Sequence, residues 1–443
     1  MKDIVLSNVG GSLDRVLLQN PGVSPSEFWA EMLSNSVVQT GDGPLTSARS
    51  TGTNVLDNTG IYRAVSAYKP SPYGARFISA DIWSKYDIGG TLLSTAKGFV
   101  CAPQRTNLAL YSQEFDNAEW NKGGGIAVSP NQTTSPDGTV TADKLYATQA
   151  AVSYRFVRQP KDLTIGDRYC GYMFVKKSNY RYVGLRVFSN STGNDHLVFD
   201  FDTETFVFIP ATEIFDYGFE SLASGWYKIW ASIEIDATEL RYFGIAFCDS
   251  IGNEDVALVG DEEVYIWQGQ YELGNAPTAP IVTTGSAVTR TADTHTIPIS
   301  NFRDEMTITF KWTPHFNYDD LPASFVAGGI VTPTTNQAGS IVRISTYLGT
   351  GYISINDGTN EKSKVLNWTK DTTYNVAVSF SKPRGLQGIC VAGTDSGDGT
   401  HAGFTIADVI TFGLSANEEF TISDVQFKPG WSNAAARAIL APA

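Results

Sequence analysis

The sequence predicts an all-β protein: two tandem antiparallel β-sandwiches preceded by a small N-terminal segment containing a helix. Three observations predict it. Residues 182–188 and 306–312 alternate large apolar side chains with small or polar ones, the period of two that buries one face of a sheet. Clusters of Gly, Asn, Asp and Ser at 135–138, 190–194, 356–358 and 395–399 supply tight-turn backbone angles between such runs. Aromatic residues make up 12% of the 443-residue chain, enough to fill sizeable cores.

Taken in order, the chain opens on a capping-box helix start. Ser24 caps, Pro25 takes the first helical position and Glu27 the third, with Phe28, Met32 and Leu33 on one face. Gly41-Asp42-Gly43-Pro44 closes this segment at about residue 45, and residues 46–100 are extended and turn-rich. A strand-dense block covers 101–293, with Pro277 and Pro280 marking a linker composition near its end. A second strand-dense block covers 294–443. Its last element is a helix capped by Asn433 and stopped by Pro442.

Charge and cysteine usage exclude several classes. The net charge of −14 leaves no basic footprint for nucleic acid and disfavours an anionic membrane surface. No uncharged apolar stretch is long enough to span a bilayer, and the first eight residues lack the apolar core of a secretory signal. Cys101, Cys170, Cys248 and Cys390 form no short-spaced pair, and the four histidines are scattered. Buried thiols are expected, with no zinc site, disulfide framework or cofactor.

Five landmarks then occur in sequence order. They are Arg105-Thr106-Asn107-Leu108 with Phe115 and Trp120; Pro136-Asp137-Gly138-Thr139 with Thr141-Ala142-Asp143; and Gly225-Trp226-Tyr227-Lys228. Trp267 with Gln270-Tyr271-Glu272 and Gly274 follows, then Val288-Thr289-Arg290 with Ala292-Asp293. This series resembles a module common in bacteriophage tail proteins, a jelly-roll like those of carbohydrate-binding modules. Ala48-Arg49-Ser50, Val55 and Gly60 are similar to the lead-in that often precedes it. The last block resembles laminin-G and concanavalin A-like sandwiches through 305–314, 371–380 and 420–427, with Tyr374 where those families usually carry Trp. The resemblance implies a virion protein made in the host cytoplasm: a tail fibre or receptor-binding component binding host-surface carbohydrate. Residues 1–45 would attach it to other virion proteins, and a homo-oligomer, favouring a trimer, is implied. The alternatives are a decoration or spacer protein of capsid or tail, and a glycan-degrading enzyme.

Ligand contact is expected at Tyr180, Arg181 and Tyr182, where an Arg stands between two aromatics at a turn-to-strand junction, and at Tyr318, Tyr347 and Trp431, which flank polar turns. Trp120, Trp226 and Trp267 are expected to anchor cores. Asp200, Asp202 and Glu204 are read as a solvated strand face rather than a Ca²⁺ site, and 395–401 as a hairpin tip. Glu234, Asp236 and Glu239 match the bare pattern of retaining glucanases. Strict alternation turns Ile233 and Ile235 inward and the acids outward, so no catalytic residue and no metal ligand is expected.

Overall fold

The computed structural model describes, before residue 98, the strands Thr46–Ser47, Thr53–Leu56, Tyr62–Val65, Pro72–Tyr73, Arg76–Ser79 and Ile82–Ser84 with residues 59 and 61. From 98 to 443 it describes all but 188–195, 211–213, 237–239, 294, 299–304, 322–323, 333–341, 358, 403–408 and 414–418. The expected helix over 24–33, the attachment segment 1–45 and Glu239 lie outside the described residues. Among the described residues the architecture is all-β, as the alternation predicts, with two antiparallel sandwiches and one short C-terminal helix. The chain divides into two compact units. One comprises residues 59–63 and 104–291; the other comprises 1–58, 64–103 and 292–443.

The first unit is a sandwich of two six-stranded sheets. One runs in the order Ile126–Thr133, Ala142–Ala147, Glu263–Leu273, Arg168–Lys177, Trp226–Glu234, Ile214–Ser221. The other runs Thr205–Phe208, Leu197–Asp200, Tyr182–Arg186, Arg241–Phe247, Phe156–Lys161, Asn121–Lys122. Its core is written in alternation: Ile229, Ala231 and Ile233 of one strand meet Met173 and Val175 of its neighbour, and Val183, Leu185, Phe243 and Ile245 of the facing sheet. Phe243 and Tyr271 stack at 5.2 Å across the two sheets. Trp120, Trp226 and Trp267 are each only 1% exposed. Trp120 fills the core, its Nε1 donating to the Tyr111 carbonyl at 2.9 Å. Trp226 and Trp267 instead lie against the 134–141 turn, donating to the Thr134 carbonyl and to the Thr141 hydroxyl. Tyr62 sets its ring edge-on to Phe174 at 5.6 Å, so part of the lead-in belongs to this unit.

The second unit pairs a seven-stranded with an eight-stranded sheet. The central strand Glu305–Pro314 lies between Tyr374–Ser381 and Phe420–Pro429. Met306, Ile308, Phe310 and Trp312 of that strand share one core with Ile344, Ile353 and Ile355 of the other sheet. The sandwich also takes strands from before the jelly-roll. Gly98–Cys101 pairs with the edge of Phe420–Pro429, Pro72–Tyr73 pairs with Gly98–Cys101, and Thr46–Ser47 pairs with His295–Pro298. The jelly-roll is therefore an insertion within the sandwich's own sequence. Its entering and leaving strands, Arg105–Asn107 and Val288–Arg290, are hydrogen-bonded neighbours.

The C-terminal helix Ala434–Leu440 starts where Asn433 Oδ1 accepts from the Ala436 N–H at 3.0 Å. It delivers the fully buried Arg437 to Asp395 and Asp398 at 2.7 and 2.9 Å. All four cysteines are free and buried.

Candidate functional site

The expected contact residues of the jelly-roll fall at one corner. Tyr180 is half-buried, with its hydroxyl donating to the Cys248 carbonyl at 2.9 Å and its ring edge-on to Phe247 at 5.0 Å. Burial raises its hydroxyl pKa, and it serves as packing. Arg181 is the exposed member. Its Nε and Nη2 donate to the two oxygens of Asp200 at 2.8 and 2.7 Å, a bidentate fork. Asp202 adds a contact to the same guanidinium at 3.3 Å and an ion pair with Lys177. The Asp202 N–H donates to Asp200 Oδ1 at 2.9 Å. The Tyr182 ring lies 5.0 Å from the guanidinium, within cation–π range. The Arg181 fork holds the Asp200 carboxyl down at about 2. The solvated face expected at Asp200 and Asp202 is instead an ordered network of two cations and two carboxylates, in which Asp200 is buried at the end of its strand and Asp202 stands in the turn that follows.

This corner runs into a group of rings that alternation alone does not reveal. The Phe201 N–H donates to the Arg181 carbonyl at 3.1 Å. Phe201 lies 6.0 Å from Tyr227, Tyr227 6.4 Å from Phe219, and Phe219 6.0 Å from Phe206, which also meets Tyr217 at 5.6 Å and Phe199 at 5.5 Å, both edge-on. Phe199 backs the group from the core. Tyr217 and Phe219 stand on Ile214–Ser221, the last strand of one sheet, and Phe206 on Thr205–Phe208, the last strand of the other. The rings therefore close the open side of the sandwich while leaving Tyr217 and Phe219 39% and 38% exposed. Beside them Thr203 and Thr205 pair their hydroxyls at 2.9 Å at the surface. Glu204 accepts the Tyr227 hydroxyl, whose pKa rises by burial and by that carboxylate. The signal in the sequence is the Phe-Asp-Tyr-Gly-Phe run at 215–219, which reads as an ordinary core strand until its edge position is known.

The three expected contact residues of the second unit do not come together. Tyr318 sits in the turn Tyr318–Asp320, beyond the Pro314 end of the central strand, with its ring 6.1 Å from the buried Trp368. Tyr347 stands 62% exposed at a hairpin tip. Trp431 lies at the opposite end of the central strand, its N–H donating to Glu305, and the ten residues between separate the two ends by about 30 Å. Its ring lies 5.3 Å from the Arg437 guanidinium. That guanidinium also takes up the carboxylates of the 395–399 tip.

Among the acids of the glucanase pattern, Ile233 and Ile235 point into the core while Glu234 and Asp236 face solvent, 54% and 73% exposed. Glu234 is paired with Arg168 at 2.9 Å and Asp236 with Arg241 at 3.2 Å. In the second unit His315 links Asp371 (2.7 Å) to the Thr421 hydroxyl (2.6 Å), the order of a hydrolytic triad. Thr421 is fully buried in its strand, so the line ties a loop to the sheet. Among the described residues no group of three or more His, Cys, Asp or Glu is arranged to hold a metal ion.

No protein-family model matches the sequence, and no curated protein matches it. Solved structures show weak likeness. The binding domain of botulinum neurotoxin serotype D is 11% identical over 33% of this chain and 39% of its own, with a TM-score of 0.26. The tandem CBM22 domains of Paenibacillus barcinonensis Xyn10C are 10% identical over 73% of this chain and 97% of theirs, at 0.24. Domains LG4-5 of the mouse laminin alpha1 chain are 12% identical over 70% of this chain and 90% of theirs, at 0.20. The chain spans about two fifths of the length of the toxin domains it matches. At these TM-scores the likenesses carry no argument, and the fold rests on the chain's own sheet pairing.

Proposed function

We propose that the chain is a bacteriophage virion protein, a tail-fibre or receptor-binding component that holds host-surface carbohydrate on its jelly-roll. The observation that carries the binding part is the Arg181 corner. There a guanidinium fixes Asp200 and touches Asp202, which is 44% exposed, with the Tyr182 ring alongside. Sugar hydroxyls need acceptors and donors already oriented, because ordering them on binding costs affinity. The five landmarks resembling phage tail modules support the virion part.

The activity is binding rather than hydrolysis. A retaining mechanism needs one carboxyl kept protonated beside an ionised partner in a shielded cleft. Glu234 and Asp236 stand in solvent, each beside its own arginine.

The test is a glycan array probed with the full chain and with Arg181→Ala and Asp202→Ala, alongside mass spectrometry of purified virions. Array binding lost in both variants supports the reading. Presence in virions with no glycan bound turns it into a spacer protein. New reducing ends released from host polysaccharide, and abolished by Glu234→Gln, would make it an enzyme. Assembly is part of the same reading, and light scattering at micromolar concentration should give a mass three times 48.0 kDa.

A further inference from the structure

Lys144, Lys177, Lys228 and Lys311 each pair with a carboxylate. Lys122, half-buried on the edge strand Asn121–Lys122, spends its charge otherwise. Its Nζ donates to the main-chain carbonyls of Asp116, Asn117 and Trp120 at 3.1, 2.7 and 2.9 Å. An ammonium has three N–H donors, and here three main-chain oxygens take them. The Asp116 carboxylate acts on it only through space.

The three oxygens converge because the loop before the strand folds as successive turns. The Glu114 N–H donates to the Tyr111 carbonyl at 3.0 Å, the Asn117 N–H to Glu114 at 3.0 Å, and the Trp120 N–H to Asn117 at 3.2 Å. The same loop seats Phe115 and Trp120, each 1% exposed, in the jelly-roll core. Carbonyl dipoles aimed at one point repel one another unless a positive charge stands between them. Oxygens at 2.7 to 3.1 Å lie farther out than Ca²⁺ takes its ligands, about 2.3–2.6 Å, and neutral carbonyls alone lack the carboxylates that ion prefers. They suit a larger monovalent cation, whose hydration shell carbonyl oxygens can replace.

We propose that the 116–120 turn is a monovalent-cation site of potassium or ammonium size, which Lys122 fills with its own tethered ammonium. The tether spares the chain the entropy of recruiting an ion from solution, so the loop that carries Phe115 and Trp120 is ordered whatever the salt. Without the Lys122 side chain, the same oxygens form an open site for a free cation.

Hydrogen–deuterium exchange of the full chain, read on peptides covering 114–122, tests this. In Lys122→Ala, exchange there should quicken about tenfold in sodium buffer. Potassium, ammonium or propylammonium at the same ionic strength should slow it again, propylammonium restoring the very atoms the substitution removes. Sodium and Ca²⁺ should not. Wild type should exchange alike in all these buffers. Lys122→Met keeps the stem without the charge; it should also quicken and answer to none of the cations, because its methyl group occupies the cradle. Unchanged exchange in Lys122→Ala, equal recovery in sodium, recovery with Ca²⁺ alone, or a wild type that responds to potassium overturns the proposal. If Lys122→Ala does not fold in sodium buffer, refolding with propylammonium is the same measurement, and failure there too overturns it.

Discussion

Asp143 and Asp200 both serve the jelly-roll, and their surroundings pull them in opposite directions. Asp143 is 1% exposed, and burial pushes its carboxyl up to about 6 although the N–H groups of Phe115 and Asn131 both donate to it. A value raised above the unfolded one favours the folded state in acid. The contribution is complete below 3.8 and is lost as pH rises through about 6. A ¹³C carboxyl titration should show a midpoint near 6 at this residue. Asp143→Asn should cost about 1–3 kcal/mol in denaturant unfolding, because the amide turns a donor toward one of those two N–H groups. Asp200 behaves the other way: its contribution is present above 3.8 and lost as pH falls through about 2. Arg181→Ala should move its midpoint back toward 3.8, read by the same titration, and raise the pH at which the chain unfolds in acid. The acid–base character of neither residue was legible from sequence. Both follow from partners 12 to 28 residues away.

Among elements, the hairpin of Val342–Tyr347 and Thr350–Asn356 turns on Leu348 and Gly349, with φ of 48° and 72°. Two consecutive positive φ angles suit Asn-Gly, and a leucine there carries a steric cost of about 1 kcal/mol. Leu348→Asn should raise stability by about that amount in a thermal melt. Gly244 sits where a Cβ would meet the Val157 carbonyl oxygen at 2.2 Å, so the neighbouring strand has no room to give. Gly244→Ala should destabilise by about 1–3 kcal/mol or more in denaturant unfolding. Local features of this kind were readable in advance. The Asn433 cap, the alternation around Ile233 and the burial of Trp120 all depend on residues near in sequence or on a simple period. Whether a strand lies at an edge is set by pairing across the sheet. That is why nothing local in the sequence sets Tyr217 and Phe219 at the rim of the jelly-roll or brings the 395–399 tip to Arg437.

For the whole molecule, the outstanding feature is that the sandwich carrying the C-terminus is completed by residues from before the jelly-roll. Val100 and Cys101 are 6% and 2% exposed, on a strand that covers the edge of Phe420–Pro429. A chain reduced to 292–443 lacks that strand. It forfeits about 3 kcal/mol of apolar burial and exposes unpaired backbone, which invites association with other copies. Size-exclusion chromatography of that fragment should show aggregates, and a monomer unfolding cooperatively at the full-length temperature would contradict the assignment. Composition and turn chemistry made two sandwiches legible, but linear order suggested that each block owned its own residues. Sheet pairing between positions as far apart as Phe99 and Ile422 leaves no local mark.

The stem of the insertion has a consequence for inheritance. Arg105 pairs with Arg290, and just outside them the Asp293 N–H donates to the Ala102 carbonyl at 2.8 Å. Antiparallel partners sit about 5 Å apart, so the sandwich needs only two chain ends at that separation. A DNA exchange of whole codons with one breakpoint on each side of 104–291 therefore moves all of the jelly-roll except its 59–63 piece, and an incoming cassette has to offer Tyr62 the seat that Phe174 and the Pro136 carbonyl give it here.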